Sequence, residues 1–290
     1  MGIEDFLAHE FKDMTDRIRS GFENNMRQRE KNPFLPFKNT AIKKYMALGR
    51  SFDSQLGNRI QRIVFFLARE KYGTIGVPNI TVLSLDDISN SITVTLYTIP
   101  LDLDRKWQNK SFNPFVQYVY VSRDLDEATI KRKLKIKKSC TELLTMTYTI
   151  SSNPTTNKAL ATWKGRSYPV DLLTVSLRDN PVRSIDALRV YEIKLGGNLD
   201  TKNAPSNAEE VLKNKNVFSF INNSHSYFAT CYGECSQAVR RAIAEKECEL
   251  LSPEEFWPSV LPEGLSYAQL IDLFQTQFTS SHIEEAIEAL

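Results

Sequence analysis

The run from Ile185 to Leu195 limits the fold of this chain more than any other segment, because its side-chain pattern suits only one backbone. Leu188, Val190, Tyr191, Ile193 and Leu195 favour extended geometry, and the period of two sets Glu192 and Lys194 on one face, opposite Ile193. Gly196-Gly197 follows at once, and then the polar segment Asn198 to Asn207. The run is predicted to be a strand that carries two charges at one end of an otherwise apolar sheet.

Asp186 lies just upstream, so two carboxylates and an ammonium fall within nine residues. Metal-assisted phosphodiester hydrolysis needs such a set. Carboxylates hold a hard, oxygen-preferring cation such as Mg²⁺, with the Ile193 carbonyl as a further ligand, and a lysine orients or activates water and steadies the charge growing on the phosphorane. The pattern Asp186-x5-Glu192-x-Lys194 resembles the signature of the PD-(D/E)XK nuclease superfamily, and the chain resembles a type II restriction endonuclease. That resemblance implies a Mg²⁺-dependent, site-specific cut in double-stranded DNA, a 5′-phosphate product, a homodimer and a prokaryotic cytoplasm. Arg50 to Gln61 resembles the helix that precedes the catalytic sheet in such enzymes, where a glutamate often approaches the metal. Gln61 stands at the matching position and brings support without charge.

The expected architecture is α/β: a central mixed β-sheet flanked by helices, a restriction-endonuclease-like core, with a β-rich insertion. At 290 residues with 41% apolar side chains the chain can build a real core, and it is read as a single endonuclease domain with a DNA-recognition insertion at about 75–150. A net charge of +2 excludes a generally basic coating protein, so any grip on nucleic acid must come from local clusters. No run of about 18 apolar residues predicts a membrane span, and no N-terminal segment resembles a signal peptide. Cys140, Cys231, Cys235 and Cys248 have no paired spacing, which points to reduced thiols in a cytoplasm and away from a zinc site with His225.

In chain order, apolar positions at helical spacing predict helices over residues 3–30 and 40–71. Short β-like runs follow at 80–83, 92–99, 116–121 and 143–150. Residues 151–183 read as loops around a strand from Val170 to Leu177, and a later strand is expected at 217–221 or 227–231. Further helices are expected at 208–212, 236–250, from 252, at 266–277 and at 280–289.

Lys131, Arg132, Lys133, Lys135, Lys137 and Lys138 put six cations into eight residues. Such a run is either a solvated face or a phosphate grip, and Asn198, Lys202 and Asn203 after the strand are further DNA-contact candidates. Two other functions stay open: a structure-specific repair or recombination nuclease, and a DNA-binding protein without chemistry that uses the cationic run alone. If the run tracks the DNA backbone, neutralising three of its lysines will weaken binding to every sequence about equally. The slope of log affinity against log salt will fall by roughly 0.9 for each lost phosphate contact. An unchanged slope would make the run a solvated face.

Overall fold

The computed structural model describes residues 2–31, 39–86, 89–101, 113–123, 128, 132, 140–150, 154–178, 184–196 and 203–290. In chain order the helices α1 (Ile3–Glu30) and α2 (Thr40–Gly76) come first, then the strands β1 (Ile80–Asp86), β2 (Ser91–Thr98), β3 (Gln117–Arg123) and β4 (Thr141–Thr149). There follow α3 (Pro154–Trp163), β5 (Arg166–Val170), β6 (Leu172–Arg178), β7 (Ser184–Gly196), α4 (Ala204–Val217) and β8 (Ser224–Tyr232). The chain closes with α5 (Gln237–Glu245), β9 (Glu249–Leu251), α6 (Pro253–Val260), α7 (Tyr267–Ser280) and α8 (Ile283–Glu288). It forms two compact units, one of residues 1–67 and 263–290, the other of residues 68–262. Among the described residues no helix is long and apolar enough to cross a membrane.

The first unit is helical. Phe6 stacks on Phe66 at 4.1 Å, and Phe11 meets Phe274 and Phe278 edge-on. A charged network sits inside it: Arg59 and Arg62 donate to the fully buried Glu10 at 2.8 and 2.7 Å. Arg59 also reaches Asp13 at 2.6 Å. Burial works against the Asp13 carboxylate, but Arg59, Arg17 and Arg62 outweigh it and hold the group below the usual range. Gln61 lies in this unit, in α2.

The second unit is α/β, with two mixed sheets where the sequence suggested one. The five-stranded sheet has the order β4-β2-β1-β3-β5, with β1 and β3 parallel, and the four-stranded sheet has the order β6-β7-β8-β9. Residues 75–150, read above as an insertion, supply β1 to β4. In the smaller sheet β6 and β7 are antiparallel, while β8 and β9 run parallel to β7. One apolar cluster joins the sheets, drawing Leu83, Val94, Val119 and Tyr168 from the first and Leu173, Val175, Leu188 and Val190 from the second. Arg69, near the end of α2 and within this unit, is buried and donates to the carbonyls of Val77 and Ile99 and to the side chains of Asn79 and Thr98, which ties together the segments that enter β1 and leave β2. Burial among neutral acceptors pulls its pKa down to about 10.

Only Asp171 separates β5 in one sheet from β6 in the other. Gln117 pins this corner. It pairs with Val170 across β3 and β5, and its buried side chain accepts from the Leu173 N–H at 2.7 Å and donates to the Leu173 and Pro78 carbonyls at 2.9 and 2.6 Å. The amide thus replaces a ladder partner that the sheet change removes. Gln117→Leu would leave these buried main-chain groups unpaired, and it is expected to cost about 2–3 kcal/mol, read from the urea midpoint. A midpoint equal to the parent's would mean that the corner holds without the glutamine.

Candidate active site

The motif strand β7 is 13 residues long and buried in its middle, with partly exposed side chains from Glu192 to Gly196. Its partner β6 begins at Leu172, which pairs with Tyr191, so beyond Tyr191 the edge of β7 has no strand beside it. Asp171 fills that place. Its Oδ2 accepts the Ile193 N–H at 2.8 Å, so the carboxylate rather than a backbone carbonyl satisfies this amide. The N–H and C=O of one strand residue leave by the same edge, so the Ile193 carbonyl is directed to the Asp171 side as well. Glu192 and Lys194, on the alternate face, form an ion pair at 2.6 Å.

Three carboxylates influence one another at this strand end. Burial, with the charge of Glu192 next, pushes the Asp171 carboxyl up to about 6, against the Ile193 hydrogen bond and Lys194, which pull it down. Glu210 on α4 contributes in the same upward direction. It stands on the outer side of a helix whose inner side buries Ala204, Ala208, Val211 and Val217, and it is ion-paired with Lys213. Lys213 in turn lies over the rings of Tyr168 and Trp163, at 4.4 and 5.1 Å from their centres. For Lys194, burial lowers the pKa, but Glu192, Asp171 and Glu210 outweigh it and the net shift is upward. The lysine therefore stays an ammonium at neutral pH, fitted to hold a water or an anionic oxygen rather than to take a proton.

Asp186 is not part of this group. It lies on β7 itself, six residues from Glu192, which on an extended strand is about 20 Å. The pairing with β6 steps from Ala187 to Ile185 and leaves Asp186 at an irregularity, where Arg178 binds its carboxylate and Asn223 its carbonyl. The short sequence spacing read as a motif thus puts its first acid at the far end of the strand, and Asp171, which the sequence reading passed over, takes the place beside Glu192. A signal for it existed: Asp171 is the lone charge in the run from Tyr168 to Val175.

Of the expected DNA contacts, Asn203 precedes the first turn of α4 without a side-chain cap bond, and Arg132 is exposed. Lys131, Lys133, Lys135, Lys137, Lys138, Asn198 and Lys202 lie outside the described residues. None of the four cysteines forms a disulfide. Burial pushes Cys231 up to about 12, and His225 bonds to Glu249 and Asn223. Among the described residues no three His, Cys, Asp or Glu side chains form a group that could hold a metal. The candidate is instead a carboxylate pair with a main-chain oxygen beside it. In comparisons with family models, curated proteins and solved structures, the chain matched none.

The raised Asp171 pKa has a stability consequence of known sign. The folded state binds this proton more tightly than the unfolded chain, so the contribution is fully present below about 4 and is lost as pH rises to about 6. Asp171→Asn keeps an oxygen for the Ile193 N–H and removes the charge. It is expected to be more stable than the parent at pH 7.5 by on the order of 2 kcal/mol and to lose that advantage at pH 4. Urea midpoints at both pH values test this, and a constant difference between the two proteins would show that folding does not raise the Asp171 pKa.

Proposed function

We propose that the chain is a Mg²⁺-dependent endonuclease that hydrolyses phosphodiesters in double-stranded DNA, in the manner of a type II restriction enzyme of the PD-(D/E)XK type. The observation that carries this reading is the meeting of Asp171, Glu192 and Lys194 where the chain turns from one sheet into the next. Asp171-x20-Glu192-x-Lys194 leaves room for a full hairpin between its two acids, and β6 and β7 form that hairpin. The crossover through α4 to a parallel β8 supplies the later strand expected of a restriction-endonuclease-like core.

The donors fit a hard cation: a buried carboxylate at Asp171 whose raised pKa the charge of Glu192 pushes further, Glu192 itself, and a carbonyl on the same strand edge. When bound, Mg²⁺ would be held by Asp171, Glu192 and the Ile193 oxygen, and would supply polarisation of a phosphate oxygen and a more acidic water. The chain's own groups do the rest. Asp171 is fixed by the Ile193 amide, so its carboxylate is oriented before substrate arrives. Lys194 keeps its proton and can hold the attacking water or the oxygen on which charge develops. Glu210, ion-paired with Lys213, adds to the charges that hold the proton on Lys194. A homodimer on a two-fold symmetric DNA site is part of the same proposal.

Incubation of supercoiled plasmid with EDTA-stripped protein and added Mg²⁺ tests the reading. The parent is expected to cut, giving discrete bands if it reads sequence. Asp171→Ala, Glu192→Ala and Lys194→Ala should each lose at least on the order of a hundredfold. Lys194→Arg should fail as well, since a planar guanidinium does not replace a compact ammonium. Asp186→Ala should cut within a few-fold of the parent. Loss of cutting in Asp186→Ala, with Asp171→Ala active, would return the site to the contiguous motif.

A further inference from the structure

We propose that Tyr232 is a stacking platform for the base next to the scissile phosphate, so that the preferred substrate is DNA in which that nucleotide is unstacked. The proposal rests on the nuclease reading above. The parallel register sets Glu192 beside Phe228, Lys194 beside Thr230 and Gly196 beside Tyr232. Tyr232 therefore belongs to the same face as Glu192 and Lys194, two positions beyond the lysine, about 7 Å along the strand. That span is comparable with the reach from a phosphate to the base it carries.

The ring is exposed and held at once. At 58% exposure it is the one exposed large apolar side chain of the second unit among the described residues; Ile42, Tyr45 and Ile271 all belong to the first. Its outer edge lies across Gly196, where a Cβ would sit 2.8 Å from Cζ and 2.9 Å from the hydroxyl oxygen. The glycine that ends the motif strand thus makes room for the tyrosine of the next strand. Just beyond, Gly233 takes φ +68° and turns the chain away, so β8 ends with Tyr232. An aromatic ring resting on backbone beside two catalytic charges is pre-organised to receive a flat, apolar surface. In an intact duplex both faces of each base are covered by its neighbours, so a base can meet the ring only after it has left the stack.

The test uses the full chain and two DNA duplexes of one sequence, fully paired or with one unpaired 2-aminopurine at the cut position. In EDTA, binding of the unpaired duplex should quench 2-aminopurine fluorescence, and with Mg²⁺ that duplex should be cut with a KM on the order of tenfold lower than the paired one. Tyr232→Ala should lose the quench and raise the KM by about tenfold, while Tyr232→Phe should keep both. Gly196→Ala, which pushes the ring aside and leaves Tyr232 in place, should resemble Tyr232→Ala. A parent that cuts both duplexes with equal KM and shows no quench, or a Tyr232→Ala protein with the parent's quench and KM, overturns the inference and leaves the nuclease reading standing. A parent that quenches but cuts neither duplex overturns the nuclease reading, and with it the placing of the ring beside a scissile phosphate. A parent that does neither sinks both.

Discussion

The hydrogen bond from the Ile193 amide to the Asp171 carboxylate joins what would otherwise be two separate facts of the fold, the change of sheet after β5 and the bare edge of β7. A strand cannot pass from one sheet to another without leaving main-chain groups unpaired at the turn. Here two side chains take up those groups. The Gln117 amide serves Leu173 on the incoming side, and the Asp171 carboxylate serves Ile193 on the facing strand. The first is neutral and buried, so it does nothing but hold. The second brings a charge to a place where Glu192 already stands, and so a group that the fold needs is also the second carboxylate of the proposed site.

This coincidence explains why the site is under electrostatic tension. Asp171 cannot move away from Glu192 without giving up the Ile193 amide, and burial denies both groups full hydration, so the carboxyl holds its proton to about 6. Lys194 relieves part of the repulsion by pairing with Glu192. Glu210 is kept from adding more by Lys213, which is itself held over two aromatic rings. A divalent cation between the carboxylates would remove the remaining repulsion, and for that reason a strained carboxylate pair points to function more strongly than a paired one.

Much of the architecture was legible in the sequence because it rests on local periodicity. The helix at 3–30, the strands near 80, 92, 117 and 141, and the serine-opened helices at 253 and 267 all follow patterns of period 3.6 or 2 with turn residues between them. The misreadings have local physical causes. Residues 154–163, read as loop because of Asn153-Pro154, Gly165, Pro169 and Pro181, form α3 with Pro154 at its first position, where no N–H is needed. The helix expected over 236–250 stops at Glu245, since Glu247 adopts φ +53°, and the residues after it form β9. Val217 to Ile221, a candidate strand, instead ends α4 and buries Val217, Phe218 and Ile221 in the core, and β8 begins only at Ser224.

The site was legible only in half, and the reason is geometric. A period of two correctly puts Glu192 and Lys194 side by side, since that relation is settled within three residues. The same period also puts Asp186 on their face, and nothing in the local pattern tells how far along the face it lies from them. On a straight strand two residues of one face separate by about 6.6 Å for every two steps, so an acid six positions upstream can never share a cation with Glu192. A partner for Glu192 has to come from a neighbouring strand, which requires enough chain for a hairpin. The 20 residues between Asp171 and Glu192 provide it, and the six-position separation from Asp186 does not. Spacing too short for a turn is thus evidence against an acid rather than for it. The acid to look for is the one that breaks an apolar run a hairpin's length away.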